Sequence, residues 1–371
     1  MFNLFQKSAL GLDLSDLSLK VVQLKKTGKK LALAGFLRKP LPAGIIVNGE
    51  IKKEEELIQI LKAALLEVKG EPIKIREVVC NLPEEKVFIR LVQLPKMKEK
   101  EIESAIKWEI EAHIPLPIEE VYLDWQIIKP LKNHLDHSDI LIAATPKVLA
   151  ESYLSVLKKA GLKPLALEPE SVAVIRSLIK GKSMRPTIII DLGTTGTNFV
   201  IFSAGAIRFT SHISVSGQSF NQAIMASLGV NEEKARELKI KIGLDKLIEA
   251  KADSNEISEE RGRVYRALEP LLDDLAKQIQ DYIDFYHDHA SHTHGPDGAI
   301  AQVLLCGGDS LLANLDAFLS HKLNLEVKLG NPWINIYKEP PQEVLGLTYN
   351  KSLAYTTALG LALRNFMNHE S

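Results

Sequence analysis

Apolar residues in the first part of the chain recur in two different periods, which predict strands and then a helix. Two short apolar runs, Leu19–Leu24 and Leu31–Leu37, are separated by a lysine-rich segment, and this pattern is typical of a strand meander. In Glu54–Val68 the apolar residues recur at helical spacing, which predicts a surface helix packed on a sheet. A further strand is predicted at Val78–Leu82. The opening of the chain therefore predicts an α/β domain.

The segment after Pro83 predicts a small inserted module of mixed structure. Within its first helix, Ile102, Ile106 and Ile110 recur at helical spacing and are expected to face inward. The pattern predicts, in chain order, a strand, a helix, two strands and a second helix at Lys86–Leu94, Lys98–Ala112, Val121–Ile128, Ile140–Ala144 and Pro146–Ala160.

The second half of the chain begins with a short apolar strand, Ile188–Ile190, and then becomes charged. Two helices are predicted there, Asn231–Lys241 and Gly262–His287, and a polar loop is predicted at Ala250–Glu260. The longer helix carries an apolar stripe along one side. We therefore expect a second domain with a peripheral helical lobe.

Two stretches, Gly11–Val22 and Ile189–Val200, are built alike. Each runs from an apolar strand into an aspartate, Asp13 or Asp191, through a turn of small polar residues and back into an apolar strand. A carboxylate followed by a tight turn with converging N–H groups suits a magnesium-phosphate group. The alternative is a pair of ordinary hairpins with turn-forming residues.

A third motif, Val303–Leu315, predicts a buried strand, a glycine pair and then a helix. The glycines would let the backbone approach a flat ligand, and the helix N-terminus would add partial positive charge. The alternative is a structural turn that needs positive φ at Gly307 or Gly308. A fourth element places Glu168 before a proline-initiated helix, where an acid could orient a water or complement the helix dipole.

Composition excludes several classes of protein. A chain of 371 residues, 46% of them hydrophobic, is longer than a single hydrophobic core usually supports, so we expect two or more domains. A formal net charge of -1 does not fit the broadly basic surface of a nucleic-acid-binding protein. Cys80 and Cys306 lie in apolar runs, which predicts buried, reduced thiols in a cytosolic protein. No stretch approaches the roughly 20 apolar residues of a membrane span, so membrane attachment is expected only through partners.

Histidines cluster near the end of the long predicted helix. Imidazoles at short spacing can share a metal ion, whereas the neighbouring glycine and proline favour an exposed loop. The sequence leaves both interpretations open for His287, His289, His292 and His294.

Taken in chain order, these motifs resemble those of the actin/Hsp70/sugar-kinase superfamily. Within it, the chain resembles the PilM family, the actin-like and FtsA-like proteins of type IV pilus assembly. The most specific match is Lys98–Ile118 followed by Val121–Trp125, in the inserted module. The two phosphate motifs, the adenosine motif and the two connecting helices would correspond to Gly11–Lys20, Asp191–Thr197, Leu305–Leu315, Glu168–Leu178 and Ala354–Arg364.

The resemblance implies an actin-like, two-domain α/β fold with mixed sheets flanked by helices and a small inserted α+β module. The implied first domain comprises 1–83, 163–184 and 350–371, and the module comprises 84–162. The implied second domain comprises 185–225 and 300–349, with the helical lobe at 226–299.

ATP and magnesium are the ligands that the resemblance implies. Asp13 and Asp191 would hold the hydrated metal, and Glu168 would orient the attacking water. Lys20 would reach phosphate oxygens, and Lys239 would lie near the base or ribose. The other nucleotide contacts would come from Ser15, Asp16, Gly193, Thr194, Thr195, Gly307, Gly308 and Asp309.

The chain departs from the pattern of the superfamily at several of these positions. The first phosphate turn commonly has glycine and small hydroxyl residues, whereas this chain has Ser15, Asp16 and Leu17. A Cβ at Ser15 restricts the turn, and Asp16 places a negative charge where phosphates would approach. Asp309 stands where a third glycine or alanine is frequent. We predict at most moderate nucleotide binding, with slow or absent hydrolysis.

The resemblance also implies a cytoplasmic scaffold, peripheral to the bacterial inner membrane, in which ATP modulates domain closure. Its partner would be the cytoplasmic N-terminal tail of PilN, alongside other inner-membrane pilus assembly proteins, and self-association is a further possibility. The tail would bind by strand addition or groove burial at Val87, Ile89, Leu91, Ile102, Ile106 and Ile110.

Two alternative functions stay open at this point. A small-molecule kinase of the same superfamily would need an acid or base in the cleft to activate a substrate hydroxyl, and we identify no dedicated polar substrate segment. The equivalent component of a type II secretion system is the other alternative.

Overall fold

The computed structural model describes residues 8–28, 30–113, 116–128, 137–181, 183, 185–244, 255–289 and 299–367. The chain divides into two compact units. The first comprises Met1–Met184, Phe202–Thr210 and Asn331–Ser371, and the second comprises Arg185–Ile201 and Ser211–Gly330. The finer, four-part division stays a prediction; residues 331–349, which it gives to the second domain, lie in the first unit.

The first unit opens with the predicted meander of three antiparallel strands, β1 (Leu10–Ser15), β2 (Ser18–Thr27) and β3 (Lys30–Pro40). The predicted surface helix and the strand that follows it are also confirmed. The elements in this stretch are β4 (Ile46–Val47), β5 (Glu50–Ile51), α1 (Glu54–Leu66), β6 (Lys69–Gly70) and β7 (Glu77–Leu82).

The inserted module contains a three-stranded antiparallel sheet with one helix on one face. Its elements are β8 (Phe88–Pro95), α2 (Glu99–His113), β9 (Val121–Ile128) and β10 (His137–Pro146), close to the predicted bounds. The sheet order is β8-β10-β9, so β10 is central and β8 lies at an edge.

Three elements then return the chain to the main sheet of the first unit: α3 (Lys147–Lys159), β11 (Lys163–Pro169) and α4 (Glu170–Leu178). The sequence predicted α3 as the second helix of the module, and its existence is confirmed. Its buried residues Tyr153, Val156 and Leu157 nevertheless join the core of the main sheet rather than the core of the module.

A five-stranded sheet in the order β14-β13-β12-β15-β16 lies mainly in the second unit, although residues 202–210 of its first hairpin belong to the first unit. The polar loop predicted at Ala250–Glu260 is wrong from Asn255 onward, where α7 begins, and residues 250–254 lie outside the described residues. Polar and acidic residues are compatible with the first turns of a helix, because they complement its dipole. The elements are β12 (Thr187–Leu192), β13 (Thr197–Ser203), β14 (Ala206–Ile213), α5 (Gly217–Leu228), α6 (Glu232–Lys241), α7 (Asn255–His289), β15 (Gln302–Cys306), α8 (Leu315–Leu323) and β16 (Val327–Leu329).

The last described segment belongs to the first unit and ends in a fully buried helix. Its elements are β17 (Glu343–Val344), β18 (Leu347–Thr348), α9 (Tyr349–Ser352) and α10 (Thr356–Leu363).

The main sheet of the first unit has six strands in the order β11-β7-β1-β2-β3-β6. Leu10, Leu12 and Leu14 alternate onto one face, where α1 and α3 cover them. Residues of the opposite face pack against α4 and α10, and Ala9 contacts this second cluster. Both cysteines are free and buried, as predicted.

Candidate functional site

The first phosphate motif is a hairpin in which Asp13 and Lys20 lie directly opposite each other on β1 and β2. The Lys20 Nζ is 2.7 Å from the Asp13 Oδ2, and the Asp13 residue is only 4% exposed. The prediction that the aspartate closes its strand is wrong here, because β1 continues to Ser15. The Lys20 ammonium, which was expected to reach phosphate oxygens, therefore already compensates a buried carboxylate.

Asp16 and Ser15 have structural partners within the first unit. The Asp16 carboxylate accepts hydrogen bonds from the backbone N–H groups of Asn48 and Gly49, at 2.7 and 3.0 Å. The Ser15 hydroxyl donates to the Ser18 carbonyl at 3.0 Å. Asp16 therefore ties the hairpin to the turn between β4 and β5, and these two donors partly offset the repulsion that its charge was expected to exert on a phosphate.

Glu168 forms a buried ion pair with two arginines. Its carboxylate accepts hydrogen bonds from both terminal nitrogens of Arg176, at 2.7 and 3.0 Å, and it also forms an ion pair with Arg364. Glu168 is 3% exposed, and burial lowers the pKa of the Arg176 guanidinium to about 10. A carboxylate held by two guanidinium groups cannot readily orient a water, so these contacts argue against the role that the resemblance implied.

Glu170, which the sequence interpretation missed, lies at the first position of α4 beside the first phosphate hairpin. Asn81 makes the connection. Its side chain accepts a hydrogen bond from the Leu14 N–H at 2.7 Å, and its amide donates to the Leu14 carbonyl at 3.0 Å and to the Glu170 Oε1 at 2.8 Å. The signal was present in the sequence, because Pro169 precedes the helix and makes Glu170 its first-turn acid.

The second phosphate turn lies between β12 and β13, and the N-terminus of α5 supports it. Within the turn, the Gly193 N–H donates to the Gly196 carbonyl at 2.9 Å. The Gly193 and Thr194 carbonyls accept the N–H groups of Gly217 and Gln218, at 3.0 and 2.9 Å. Thr195 is exposed within this turn, and Asp191 is partly exposed near the end of β12. Hydrogen bonds to the backbone carbonyls of Gly193, Thr194 and Gly196 therefore fix the shape of the turn.

Gly307, at the end of β15, adopts a φ of +90°, as the turn interpretation predicted. A Cβ at this position would lie 2.4 Å from the Asp191 Oδ1 and 2.3 Å from the Leu192 carbonyl oxygen. The helix predicted directly after the glycines is wrong: α8 begins only at Leu315, and the Asp309 N–H donates instead to the Leu192 carbonyl at 3.1 Å. Close contact with β12, not a helix terminus, therefore defines this motif.

Asp309 links three segments of the second unit. Its Oδ1 accepts a hydrogen bond from the Lys239 Nζ at 2.6 Å, and its Oδ2 lies 3.5 Å from the Thr194 hydroxyl. The Lys239 Nζ also donates to the Gly217 carbonyl at 3.0 Å, and Lys239 is 3% exposed. A Cβ at Gly217 would overlap the Asp309 carboxylate, at 2.0 Å from Oδ2. Lys239 is therefore paired within the protein, next to the second phosphate turn.

The predicted partner groove is only partly available. Ile102, Ile106 and Ile110 are at most 3% exposed and form the core between α2 and the sheet of the module, so their assignment to a groove is wrong. Val87 packs against the main core of the first unit. Ile89 and Leu91 are partly buried on the edge strand β8. Because alternate residues of a strand point to opposite faces, they face away from α2, whereas Val92 and Leu94 of the same strand join the helix-side core.

Metal-ligating clusters are absent from the described part of the chain: no group of three or more histidine, cysteine, aspartate or glutamate residues could hold an ion there. His292 and His294, and the side chain of His289, lie outside what the structure describes, so the predicted alternatives beside His287 stay open. In the same described residues, no helix combines the length and apolar character needed to cross a membrane.

Comparison with known families and structures gives consistent matches. A family model described as "Type IV pilus assembly protein PilM" matches residues 11–366. The chain is similar to a structure titled "PilM-PilN type IV pilus biogenesis complex", with 26% identity, a TM-score of 0.78 and coverage of 98% of this chain and 100% of the other.

Two further structures share the fold at lower identity. The ethanolamine utilization protein EutJ from Carboxydothermus hydrogenoformans has 15% identity and a TM-score of 0.55, covering 96% of this chain and 89% of its own. MreB5 of Spiroplasma citri bound to ADP has 13% identity and a TM-score of 0.51, covering 95% and 94%. The actin-like α/β fold expected from the sequence is confirmed.

Proposed function

Because the chain belongs to the PilM family of type IV pilus assembly proteins, we propose that it is an ATP-binding scaffold of the inner-membrane pilus assembly complex. It acts in the cytoplasm, where it binds the cytoplasmic N-terminal tail of PilN, and ATP modulates domain closure. The family match over residues 11–366 carries this proposal. The similar structure titled as a PilM-PilN complex supports PilN as the partner class.

The second unit contains residues that fit a magnesium-nucleotide. The space beside Asp191 that a Cβ at Gly307 would fill lets β15 approach the carboxylate without displacing it. Thr194 and Thr195 supply hydroxyl groups at the turn. The ion pair between Lys239 and Asp309 holds helix α6 next to this turn. Asp191 would hold the hydrated metal in this unit, and the bound ion would neutralise charge on the phosphate oxygens.

The first unit contains its own candidate acid and a different candidate for the water-orienting group. Asp13, which forms an ion pair with Lys20 at 2.7 Å, is the metal-side carboxylate of this unit. Glu170 takes the role that the resemblance gave to Glu168, because Asn81 orients it beside β1. Because Lys20 is already paired with Asp13, it contributes little to phosphate oxygens, and hydrolysis is slow.

PilN binds at the edge strand β8 by strand addition. An edge strand presents backbone donors and acceptors to a partner, and alternate side chains of the partner fill adjacent pockets. Ile89 and Leu91 supply partly buried apolar contacts on the face away from α2. The buried residues of α2 support this strand from behind and do not contact the peptide.

Titration calorimetry with a synthetic peptide of the cognate PilN cytoplasmic N-terminus tests the proposal, with and without ATP and magnesium. We expect saturable binding that ATP changes in affinity, and we expect Asp191→Asn to abolish the magnesium-dependent part of ATP binding. A peptide N-methylated at alternate residues would lose affinity in one register only, because strand addition uses every second backbone N–H. Failure of the unmodified peptide to bind in either condition would remove the partner assignment.

A further inference from the structure

The tip of the β13–β14 hairpin is buried, although hairpin tips usually lie at the surface. Ser203, Ala204 and Ala206 are each at most 4% exposed, and Gly205 between them is exposed. The hairpin segment Phe202–Thr210 belongs to the first compact unit, although its strands continue from the sheet of the second. The tip is therefore a docked element with specific contacts.

Arg208, on β14, makes the most specific of these contacts. One terminal nitrogen of its guanidinium donates to the Asp139 Oδ2 at 2.8 Å, and the side chains of Arg208 and Asp139 are 11% and 3% exposed. The Arg208 Nε donates to the Ser203 carbonyl at 3.0 Å, so the guanidinium is also fixed to its own hairpin. A guanidinium with two fixed contacts has little freedom to follow its partner if either strand moves.

Asp139 carries the connection to the candidate partner strand. It lies on β10 directly opposite Gln93 of β8, and the Gln93 Nε2 donates to the Asp139 Oδ1 at 3.4 Å. The His137 Nε2 lies 3.8 Å from the same oxygen. Asp139 therefore contacts the hairpin through one carboxylate oxygen and the edge strand through the other.

The other end of this chain of contacts is the second phosphate turn. β13 begins at Thr197, directly after the turn that Gly193 and Gly196 close, and it ends at Ser203, the acceptor of the Arg208 Nε. The backbone of one strand therefore connects the phosphate turn to Ser203. The contacts run without a break from the phosphate turn through β13, Arg208 and Asp139 to β8.

We propose that the Arg208–Asp139 pair couples nucleotide occupancy at the second phosphate turn to the affinity of strand β8 for its peptide partner. Both are positioning residues: Arg208 acts through Asp139, and Asp139 through Gln93 and β8. This inference rests on the proposed function, since it assigns the residues that carry its regulation. A buried ion pair suits this task, because its partners are either paired or separated at a large cost, and intermediate arrangements are unfavourable.

Single and paired substitutions of Arg208 and Asp139 in the intact chain test the coupling. The variants are Arg208→Met, Asp139→Asn and the apolar pair Asp139→Leu with Arg208→Met, which keeps the site filled without burying an unpaired charge. Two controls are matched to them. Glu103→Gln removes an exposed ion pair of the same module, with Lys107, and Ile110→Val loosens the core of the module without touching the pair.

The measured quantity is the ratio of dissociation constants for the PilN peptide with and without ATP and magnesium. In the unmodified protein and both controls, we expect this ratio to differ from one by about 5-fold or more, the lower range of allosteric coupling. In the three pair variants we expect the ratio to be close to one, while the peptide still binds in the absence of nucleotide. A purely structural pair would lower the midpoint of thermal unfolding and leave the ratio unchanged.

The two hypotheses fail in different ways. Pair variants that fold and keep the ratio of the unmodified protein would overturn the coupling and leave the proposed function intact. A ratio of one in the unmodified protein would overturn the nucleotide modulation itself, and the coupling with it. If a single substitution prevents folding, the apolar pair decides the question on the same ratio.

Discussion

The Lys239 ammonium lies 2.6 Å from the Asp309 carboxylate and joins helix α6 to the loop that follows β15. Lys239 is almost fully buried, with its side chain 3% exposed, whereas that of Asp309 is 14% exposed. If its partner is removed, the Asp309 carboxylate can be hydrated by water more easily than the Lys239 ammonium can. This asymmetry predicts that the two halves of the pair will respond differently to mutation.

Asp309→Ala should destabilise the protein more than Lys239→Met. The first leaves a buried ammonium without its anion, which costs on the order of 3 kcal/mol, whereas the second leaves a carboxylate that reaches solvent. Urea denaturation measures both, with Lys322→Met as the control, because its pair with Asp273 is exposed and contributes about 1 kcal/mol or less. Equal losses for the two variants would contradict the asymmetry.

Glu168 and Glu170 should separate stability from chemistry. Glu168→Gln removes the anion from Arg176 and Arg364, so the free energy of unfolding should fall by on the order of 3 kcal/mol. Glu170→Gln keeps an oxygen for the Asn81 amide, so stability should change by about 1 kcal/mol or less. It should lower any slow ATP hydrolysis, followed by phosphate release over long incubations. Unchanged hydrolysis in Glu170→Gln would remove its water-orienting role.

Residues of the inserted module should divide into core and contact residues. Ile106→Ala should destabilise the protein by about 2–5 kcal/mol, because Ile106 is fully buried between α2 and the sheet. Leu91→Asn, on the edge strand, should weaken PilN peptide binding about 10-fold, or about 1.4 kcal/mol, with a smaller loss of stability. Calorimetry and thermal unfolding of both variants, with Ile106→Val as the conservative control, give the comparison. Peptide affinity that follows stability in all three would argue against β8 as the contact.

Glu50 supplies a test by pH. Hydrogen bonds from Lys52 and then Lys86, together with their charges, lower the pKa of this carboxyl from 4.5 to about 2. The charged form is thus favoured in the folded state, so its contribution to stability is present above pH 4.5 and is lost as the pH falls towards 2. Carboxyl-detected NMR titration should show this midpoint, and Lys86→Gln should raise it. Because the group is exposed, high salt should also reduce the shift.

Periodicity predicted most elements of the fold, because each depends on local spacing. The stripe Ile102, Ile106 and Ile110 identified helix α2, yet it could not say which surface the stripe covers. That depends on Ile140 and Ile142 of β10, a strand that pairs with β8 and β9 in a register that spacing alone does not define. A buried stripe was therefore misread as a contact surface.

The candidate site was predictable in its positions but not in its ion pairs. Turn residues identified both phosphate hairpins and the positive φ of Gly307. Arg364 and Asp309, which pair with Glu168 and Lys239, lie far away in sequence, so no local pattern indicates these two contacts. Arg176 is only eight residues from Glu168, but sequence spacing alone did not show that the two side chains pair. Glu170 was accessible to the same reasoning that selected Glu168, since both flank Pro169 in the same short segment.

Asp191 can hold its position only because Gly307 has no Cβ atom. An alanine there would place its methyl carbon 2.4 Å from the Asp191 Oδ1 and would be opposed by the backbone of Leu192 at 2.3 Å, so β12 and β15 would have to separate. In the first hairpin, Ser15 and Leu17 are partly exposed, so substitutions there can be tried in efforts to raise nucleotide affinity. At position 307 no such latitude exists, and a mutational library selected for an intact contact between β12 and β15 should recover glycine alone.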